Sequence, residues 1–227
     1  MRRNHSRFWV FCSFVLFVSV MTAQAQNEDK LASNLGGILV VPTGPTSHLV
    51  TKNPGITAGV GYNFNDHHSI IGEFFWHELS PSSGALTDIR TSAQDNTIRG
   101  HSNLYALTAN YRFQMPGPDK FWGAYLIGGG GWYYRTAALV DPDATGAGIP
   151  CTRPWLWWDF QCSSGTVVPN QTGKRFNEKA FGGNAGIGVT AKIADPSYRM
   201  YLELRYHYAP TKNVNTELMD VTIGVRY

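Results

Sequence analysis

The last nine residues, Met219–Tyr227, read MDVTIGVRY and give the clearest indication of the fold. Apolar or aromatic side chains occupy every odd position, and the even positions carry Asp220, Thr222, Gly224 and Arg226. Successive side chains of an extended chain point to opposite sides, so strict alternation predicts a β-strand with one apolar and one polar face.

The same alternation recurs upstream. It is clear in Ile56–Phe64, weaker in Ile70–His77 and Phe121–Arg135, and leaves the faces of Leu35–Val41 unassigned. Eight strands are predicted in all: Leu35–Val41, Ile56–Phe64, Ile70–His77, Asn103–Phe113, Phe121–Arg135, Phe181–Ile193, Met200–Tyr208 and Met219–Tyr227.

The connections between these strands alternate in length. The short ones are Asn65–His68, Gln114–Lys120 and Ala194–Tyr198, and the long ones are Thr43–Gly55, Leu79–Gly100, Ala137–Glu178 and Ala209–Leu218. Short turns at one end and long loops at the other are typical of outer-membrane barrels, in which the short turns are periplasmic.

Aromatic and charged residues are distributed as a membrane barrel requires. Aromatics gather near both strand ends, as in two interfacial girdles. Charged strand residues share the polar faces, and a lipid-facing Arg or Lys at the midplane would cost roughly 2–4 kcal/mol. We therefore predict an all-β fold, an eight-stranded antiparallel up-and-down transmembrane β-barrel. A soluble barrel, with its apolar face inward, is the alternative.

The N-terminus predicts export. Residues 1–25 combine three arginines, the apolar run Phe8–Val20 and the tripeptide Ala23-Gln24-Ala25, a pattern typical of a cleaved signal peptide. The barrel then occupies residues 26–227. Without the three signal arginines, 16 of the 19 Lys and Arg remain against 16 Asp and Glu, so a nucleic-acid partner is not expected.

Several segments resemble a known superfamily. The C-terminal VTIGVRY, together with GVGYNF (Gly59–Phe64), IGGGGWYYR (Ile127–Arg135) and LELRYHYAP (Leu202–Pro210), is similar to small outer-membrane β-barrels of OmpA/OmpX type. The resemblance implies an outer-membrane location and contact with outer-membrane lipid and lipopolysaccharide. It also implies that the barrel-assembly machinery reads the terminal aromatic, here Tyr227 in place of the more usual Phe.

The polar faces would line the lumen, where we expect a network of Glu73, Arg112, Glu203, Arg205, Asp220 and Arg226. The loop lengths suggest that Glu203 lies opposite Gly188 and Gly224, Arg205 opposite Gly186 and Thr222, and His207 opposite Asp220. This network either fills the lumen and fixes the register, or forms a gated narrow channel for ions or small solutes.

The longest loop, Ala137–Glu178, contains two cysteines and a cluster of rings. Cys151 and Cys162 are expected to form a disulfide in an exported chain. Between them lie Trp155, Trp157, Trp158 and Phe160, which either pack over the barrel mouth or at the lipid interface, or form an exposed recognition patch for a surface ligand.

No catalytic site is predicted. In the segment His101-Ser102-Asn103 the His and Ser are adjacent, so on a strand they point to opposite faces and cannot act as a nucleophile–base pair. No cofactor and no metal site are expected. A structural or cell-surface interaction role is predicted, with a narrow channel as the alternative and a lipid-modifying enzyme as a remote one.

Overall fold

A computed structural model describes residues 30–116, 121–142, 148–158, 160–169, 176–193 and 198–227. The predicted signal segment, residues 1–25, lies outside the described residues, as do residues 117–120 and 194–197 in two of the predicted short turns.

Eight antiparallel strands close into a barrel, as predicted. Each barrel strand pairs with the barrel strands before and after it in the chain, and the first closes on the last. The barrel strands are β1 (Leu31–Pro42), β2 (Asn53–Asn63), β3 (His68–Leu79), β4 (Arg99–Pro116), β5 (Trp122–Val140), β10 (Phe176–Lys192), β11 (Arg199–Ala209) and β12 (Thr216–Arg226).

The remaining elements lie in the long loops. They are a 3-10 helix (Gly44–His48), α1 (Ser83–Ala93), β6 (Ile149–Pro150), β7 (Trp155–Trp157), β8 (Phe160–Cys162) and β9 (Val167–Val168). We call this end of the barrel the long-loop end and the opposite end the short-turn end.

Strands β5 and β10 extend further towards the long loop than the sequence pattern predicts. Alternation disappears after Arg135 because Thr136, Ala137, Ala138 and Leu139 are all buried, so both faces of this part of β5 are covered. The loop therefore spans residues 141–175 rather than Ala137–Glu178.

Helix α1 is absent from the predicted elements, where Leu79–Gly100 was expected to be a loop. The Ser82 hydroxyl accepts a hydrogen bond from the Ala85 backbone N–H and caps the helix start. At the other end Gln94 adopts a left-handed conformation with φ of 57°. The helix is short, and burial of Ala85 and Ile89 rather than strong helix propensity holds it in place.

The barrel is apolar outside and polar inside. Leu35, Leu107 and Ile223 point outward and are 65%, 62% and 58% exposed, whereas Glu73 and Arg205 point inward and are 1% exposed. A soluble barrel would show the reverse, because apolar surface is buried away from water. Among the described residues, no helix is long and apolar enough to cross a membrane.

One of the two predicted registers is correct and the other is wrong. Strands β10 and β11 pair as expected, with Glu203 opposite Gly188. Between β11 and β12, however, Glu203 lies opposite Thr222 rather than Gly224, and Arg205 lies opposite Asp220. The error is a slip of two residues, which leaves every side chain on its face and is invisible to the alternation.

The corrected register also moves His207, which was expected opposite Asp220 and lies opposite Leu218. The ladder continues to the pair Ala209 and Thr216, so the loop between the strands is residues 210–215. Loop closure, rather than hydrophobic pattern, therefore sets this register.

Candidate functional site: the lumen and the cap above it

A three-residue ion cluster crosses the middle of the lumen. The Arg205 Nη1 donates to Glu73 Oε2 at 2.7 Å, and its Nη2 lies 2.6 Å from Glu203 Oε1. Glu73 is on β3 and Arg205 on β11, which are not neighbours in the barrel. The pair therefore bridges opposite walls and closes the lumen.

Neutral side chains donate further hydrogen bonds to the two carboxylates. Asn34 and Asn110 donate from Nδ2 to the two oxygens of Glu73, at 2.6 and 2.5 Å. The Tyr125 hydroxyl donates to Glu203 Oε2 at 2.9 Å. Buried charges are tolerated when they are paired and hydrogen-bonded, and this cluster meets both conditions.

Sequence reasoning missed these neutral partners. Asn110 is on the polar face of a predicted strand, so its inward direction could be foreseen. Its contact with Glu73 could not, because the contact depends on how the curved wall brings β3 and β4 together.

Asp220 belongs to a separate cluster nearer the long-loop end. Its Oδ2 lies 3.3 Å from the Nε2 atoms of both His77 and His207. The Tyr133 hydroxyl lies 2.9 Å from His207 Nδ1 and supports that ring. The expected six-residue network is thus divided, and two histidines that were not assigned to it hold one of its members.

Arg112 and Arg226 lie towards the short-turn end, and each approaches the Tyr125 ring. Their guanidinium carbons are 6.0 and 4.7 Å from the ring centroid. Within the described residues, they approach the central cluster through this ring and not through an ion pair of their own.

Little space remains among these side chains. A cavity of about 10 Å³ is lined by Asn34, Ile71, Glu73, Arg112, Tyr125, Ile127, Tyr201, Glu203 and Arg226. That volume is about enough for a single water molecule. In this conformation the lumen is filled at its centre.

The aromatic cluster of the long loop is buried. Trp157 and Trp158 have no exposed surface, and Trp155 and Phe160 are nearly as buried. Trp157 donates from Nε1 to the Leu49 carbonyl at 3.1 Å, and the Arg135 guanidinium lies 4.1 Å from the Trp158 ring centroid. These rings pack over the mouth of the barrel, so they do not form an exposed recognition patch.

Three long loops join into one structure, which we call the cap: residues 43–52, 80–98 and the described part of 141–175. Thr152 and Arg153 bond through their backbone N–H groups to Ser92, at the end of α1. Val50 forms a β-bridge with Pro81.

The disulfide between Cys151 and Cys162 closes the segment that carries the buried rings. It confirms the expected pairing of the two cysteines.

Beyond α1, hydrogen bonds from the Thr97 backbone N–H and hydroxyl lower the pKa of the Asp95 carboxyl.

The structure does not bring His101 and Ser102 together as a nucleophile–base pair. Ser102 faces inward and is fully buried, whereas His101 lies on the opposite face of β4 and is partly exposed. Among the described residues, no group of three or more His, Cys, Asp or Glu is placed to hold a metal ion.

The solved structures to which this chain is similar include outer-membrane proteins of distant sequence. The attachment invasion locus protein Ail of Yersinia pestis is 13% identical, with 87% of this chain and 97% of that chain covered and a TM-score of 0.43. Neisserial surface protein A is 13% identical, with coverage of 86% and 94% and a TM-score of 0.47.

A major outer membrane protein of Thermus thermophilus is 6% identical, with coverage of 87% and 98% and a TM-score of 0.54. No curated protein is recognisably similar in sequence. At 6% identity the likeness to the Thermus protein shows the fold alone.

The sequence itself carries the family assignment. The model of the family described as "Outer membrane protein beta-barrel domain" matches residues 11–227, which is nearly the whole chain. The apolar exterior, the closed eight-stranded barrel and the polar lumen agree with that match. This chain belongs to the outer membrane protein beta-barrel domain family and is a protein of the bacterial outer membrane.

Proposed function

We propose that the protein is a non-conducting barrel that presents its cap at the cell surface, in a structural or surface-interaction role. The observation that carries this proposal is the closure of the lumen by the Glu73–Arg205–Glu203 cluster, which leaves a central cavity of only about 10 Å³. An eight-stranded barrel has just enough interior for side chains to fill.

The cap supports the same function. Its rings and disulfide are buried, so its interior is a small core rather than a disordered loop. The opposite side of the cap carries exposed polar residues, among them Thr87, Asp88 and Arg153. A surface ligand would therefore meet this polar side and not the tryptophans.

The partners we propose follow from the two surfaces of the molecule. The outward apolar band contacts outer-membrane lipid, and the rings near the long-loop end, such as Tyr206 and Tyr208, reach the level of lipopolysaccharide headgroups. The C-terminal strand ends on Tyr227, which we propose the barrel-assembly machinery recognises. We propose no enzymatic activity.

Planar-bilayer recordings test the proposal against the narrow channel. We expect no conductance steps from the refolded wild type or from Glu203→Ala, because Glu73 and Arg205 still span the lumen in the variant. A porin added to the same bilayer shows that steps are detectable. Discrete steps from either protein would reject the closed barrel and favour a channel gated by exchange of ion pairs.

A further inference from the structure

Two arginines at the short-turn end of the lumen are buried without a carboxylate partner among the described residues. Arg112 and Arg226 are 9% and 7% exposed. Arg112 donates from Nε to Ser69 Oγ at 3.1 Å and from Nη2 to Asn63 Oδ1 at 3.5 Å, and Arg226 donates from Nη2 to Gln114 Oε1 at 2.5 Å. None of the ion pairs in the described part of the chain includes either arginine.

The acids of the central cluster compensate only part of the positive charge in this region, because Glu73 and Glu203 share the single cation Arg205. Glu73 and Glu203 both bind Arg205, at 2.7 and 2.6 Å. The described residues of the central region therefore hold three guanidinium groups against two carboxylates. An uncompensated buried charge costs several kcal/mol, so a counter-anion is expected close to Arg112 and Arg226.

The rim below them adds further positive charge. Lys192, Arg199 and Arg226 lie directly opposite one another on β10, β11 and β12. Their positions fall on the inward face of each strand, in phase with the buried Thr190, Tyr201 and Thr222. Arg199 has partners within the chain and donates from Nη1 to Thr190 Oγ1 at 3.3 Å. The row therefore adds cationic groups to the rim, and the proposal does not depend on any of them being uncompensated.

The buried hydroxyl of Tyr201 lies beside the same two arginines. Tyr201 is 4% exposed and its hydroxyl has no hydrogen-bond partner in the described structure. It lines the small cavity together with Arg112 and Arg226, and with the two glutamates that bind Arg205. The cavity admits about one oxygen atom. An oxyanion held by Arg112 and Arg226 on the short-turn side of this cavity would accept a hydrogen bond from Tyr201, while Glu73 and Glu203 stay paired with Arg205 on its central side.

We propose that the short-turn mouth of the lumen binds a small, soluble phosphate-bearing anion through Arg112, Arg226 and Tyr201, with Lys192 and Arg199 at the rim. Planar guanidinium groups recognise phosphate through paired hydrogen bonds. The phosphates of membrane lipids lie outside the barrel wall, whereas these groups face the lumen. The ligand therefore reaches the site from the aqueous side, which the proposed orientation makes the periplasm.

Calorimetric titration of inorganic phosphate into the full barrel in phosphatidylcholine nanodiscs tests this proposal. Sodium chloride at the same pH and ionic strength is titrated in parallel. We expect saturable heat with phosphate and none with chloride, and at least tenfold weaker binding in Arg226→Gln and Arg112→Gln. Lys179→Gln, which removes an exposed cation on the outer wall, should bind as the wild type does.

The outcomes distinguish a site for soluble phosphate from a site for a lipid headgroup and from binding that does not depend on phosphate. Equal heats for phosphate and chloride, or undiminished binding in both arginine variants, would overturn the proposal. If phosphatidylglycerol in the nanodisc abolishes phosphate binding, the site belongs to a lipid headgroup and the soluble ligand is wrong. Should either arginine variant not fold, Lys192→Gln at the rim replaces it, with weakened binding expected. Planar-bilayer conductance is independent of this result.

Discussion

Arg205 is a cation with 1% of its surface exposed, and its surroundings explain how the barrel tolerates it. Two carboxylates bind its guanidinium group. These carboxylates also accept hydrogen bonds from Asn34, Asn110 and Tyr125. The cost of breaking such a cluster is large, because removing one member leaves a buried charge only partly compensated.

Glu73→Ala should therefore lower the free energy of unfolding by about 3–5 kcal/mol. The variant leaves Arg205 with one carboxylate and removes the acceptor for two amides. Urea titration of the refolded protein, followed by tryptophan fluorescence, measures the change. Glu78→Ala is the matched control, because Glu78 is an exposed glutamate on the same strand. Similar losses in both variants would show that the cluster does not stabilise the barrel.

Glycines in the strands differ in whether their lack of a side chain is needed. A Cβ at Gly188 would overlap the ring of Tyr125, whose hydroxyl donates to Glu203. A Cβ at Gly72, on the outer face, would meet nothing closer than 3.7 Å. Gly188 thus makes room for the lumen network, whereas Gly72 does not.

Gly188→Ala should destabilise the barrel by about 1–3 kcal/mol, because the Tyr125 ring must move away from Glu203. Gly72→Ala should be neutral or stabilise the fold by about 0.4–1 kcal/mol, through the reduced freedom of the unfolded chain. Urea midpoints of the two variants provide the comparison. Equal effects would contradict the close packing of Tyr125 on Gly188.

At the scale of the element, the β11–β12 hairpin shows how a register is chosen. Two registers that differ by two residues keep the same side chains inside and outside. The observed one places Arg205 opposite Asp220 and ends the ladder at Ala209 and Thr216. It therefore depends on the loop at residues 210–215 and on contacts inside the lumen.

Cysteine pairs distinguish the two registers. Tyr206 lies opposite Met219, so Tyr206→Cys with Met219→Cys should form a disulfide in the folded barrel. Tyr206→Cys with Val221→Cys matches the register shifted by two and should cross-link poorly. Peptide mapping under non-reducing conditions identifies the bonds and separates them from Cys151–Cys162. Preferential cross-linking to position 221 would refute the observed pairing.

At the scale of the whole molecule, the barrel reverses the usual distribution of polarity. Its outer wall carries Leu107, Ile187 and Ile223, each more than half exposed, and its lumen carries the ion clusters. The cap departs from this rule, since its tryptophans and Ile89 are buried. One chain thus adapts to two solvents, lipid around the wall and water above the cap.

Leu107→Arg tests whether the outer wall of the barrel faces lipid while the cap faces water. A guanidinium on the lipid face should lower the folding free energy in phospholipid vesicles by about 2–4 kcal/mol if Leu107 lies near the midplane. Leu156→Arg places the same charge on the cap, where Leu156 is 39% exposed, and should change stability by less than about 0.5 kcal/mol. Equal losses at the two positions would place Leu107 outside the bilayer.

The alternation and the loop lengths were enough to predict the eight strands, the two faces of every strand except Leu35–Val41, the closed architecture and the cysteine pair. These features follow from local information, because side-chain direction repeats every two residues and short and long connections alternate along the chain. Helix α1 and the extension of β5 were hidden, since contacts made within the cap stabilise them. Tertiary contacts determine which acid pairs with which base, why Asp220 lies between two histidines, and that the tryptophans are buried. Those contacts join strands far apart in sequence, so they are fixed only when the barrel closes and its loops fold over the mouth.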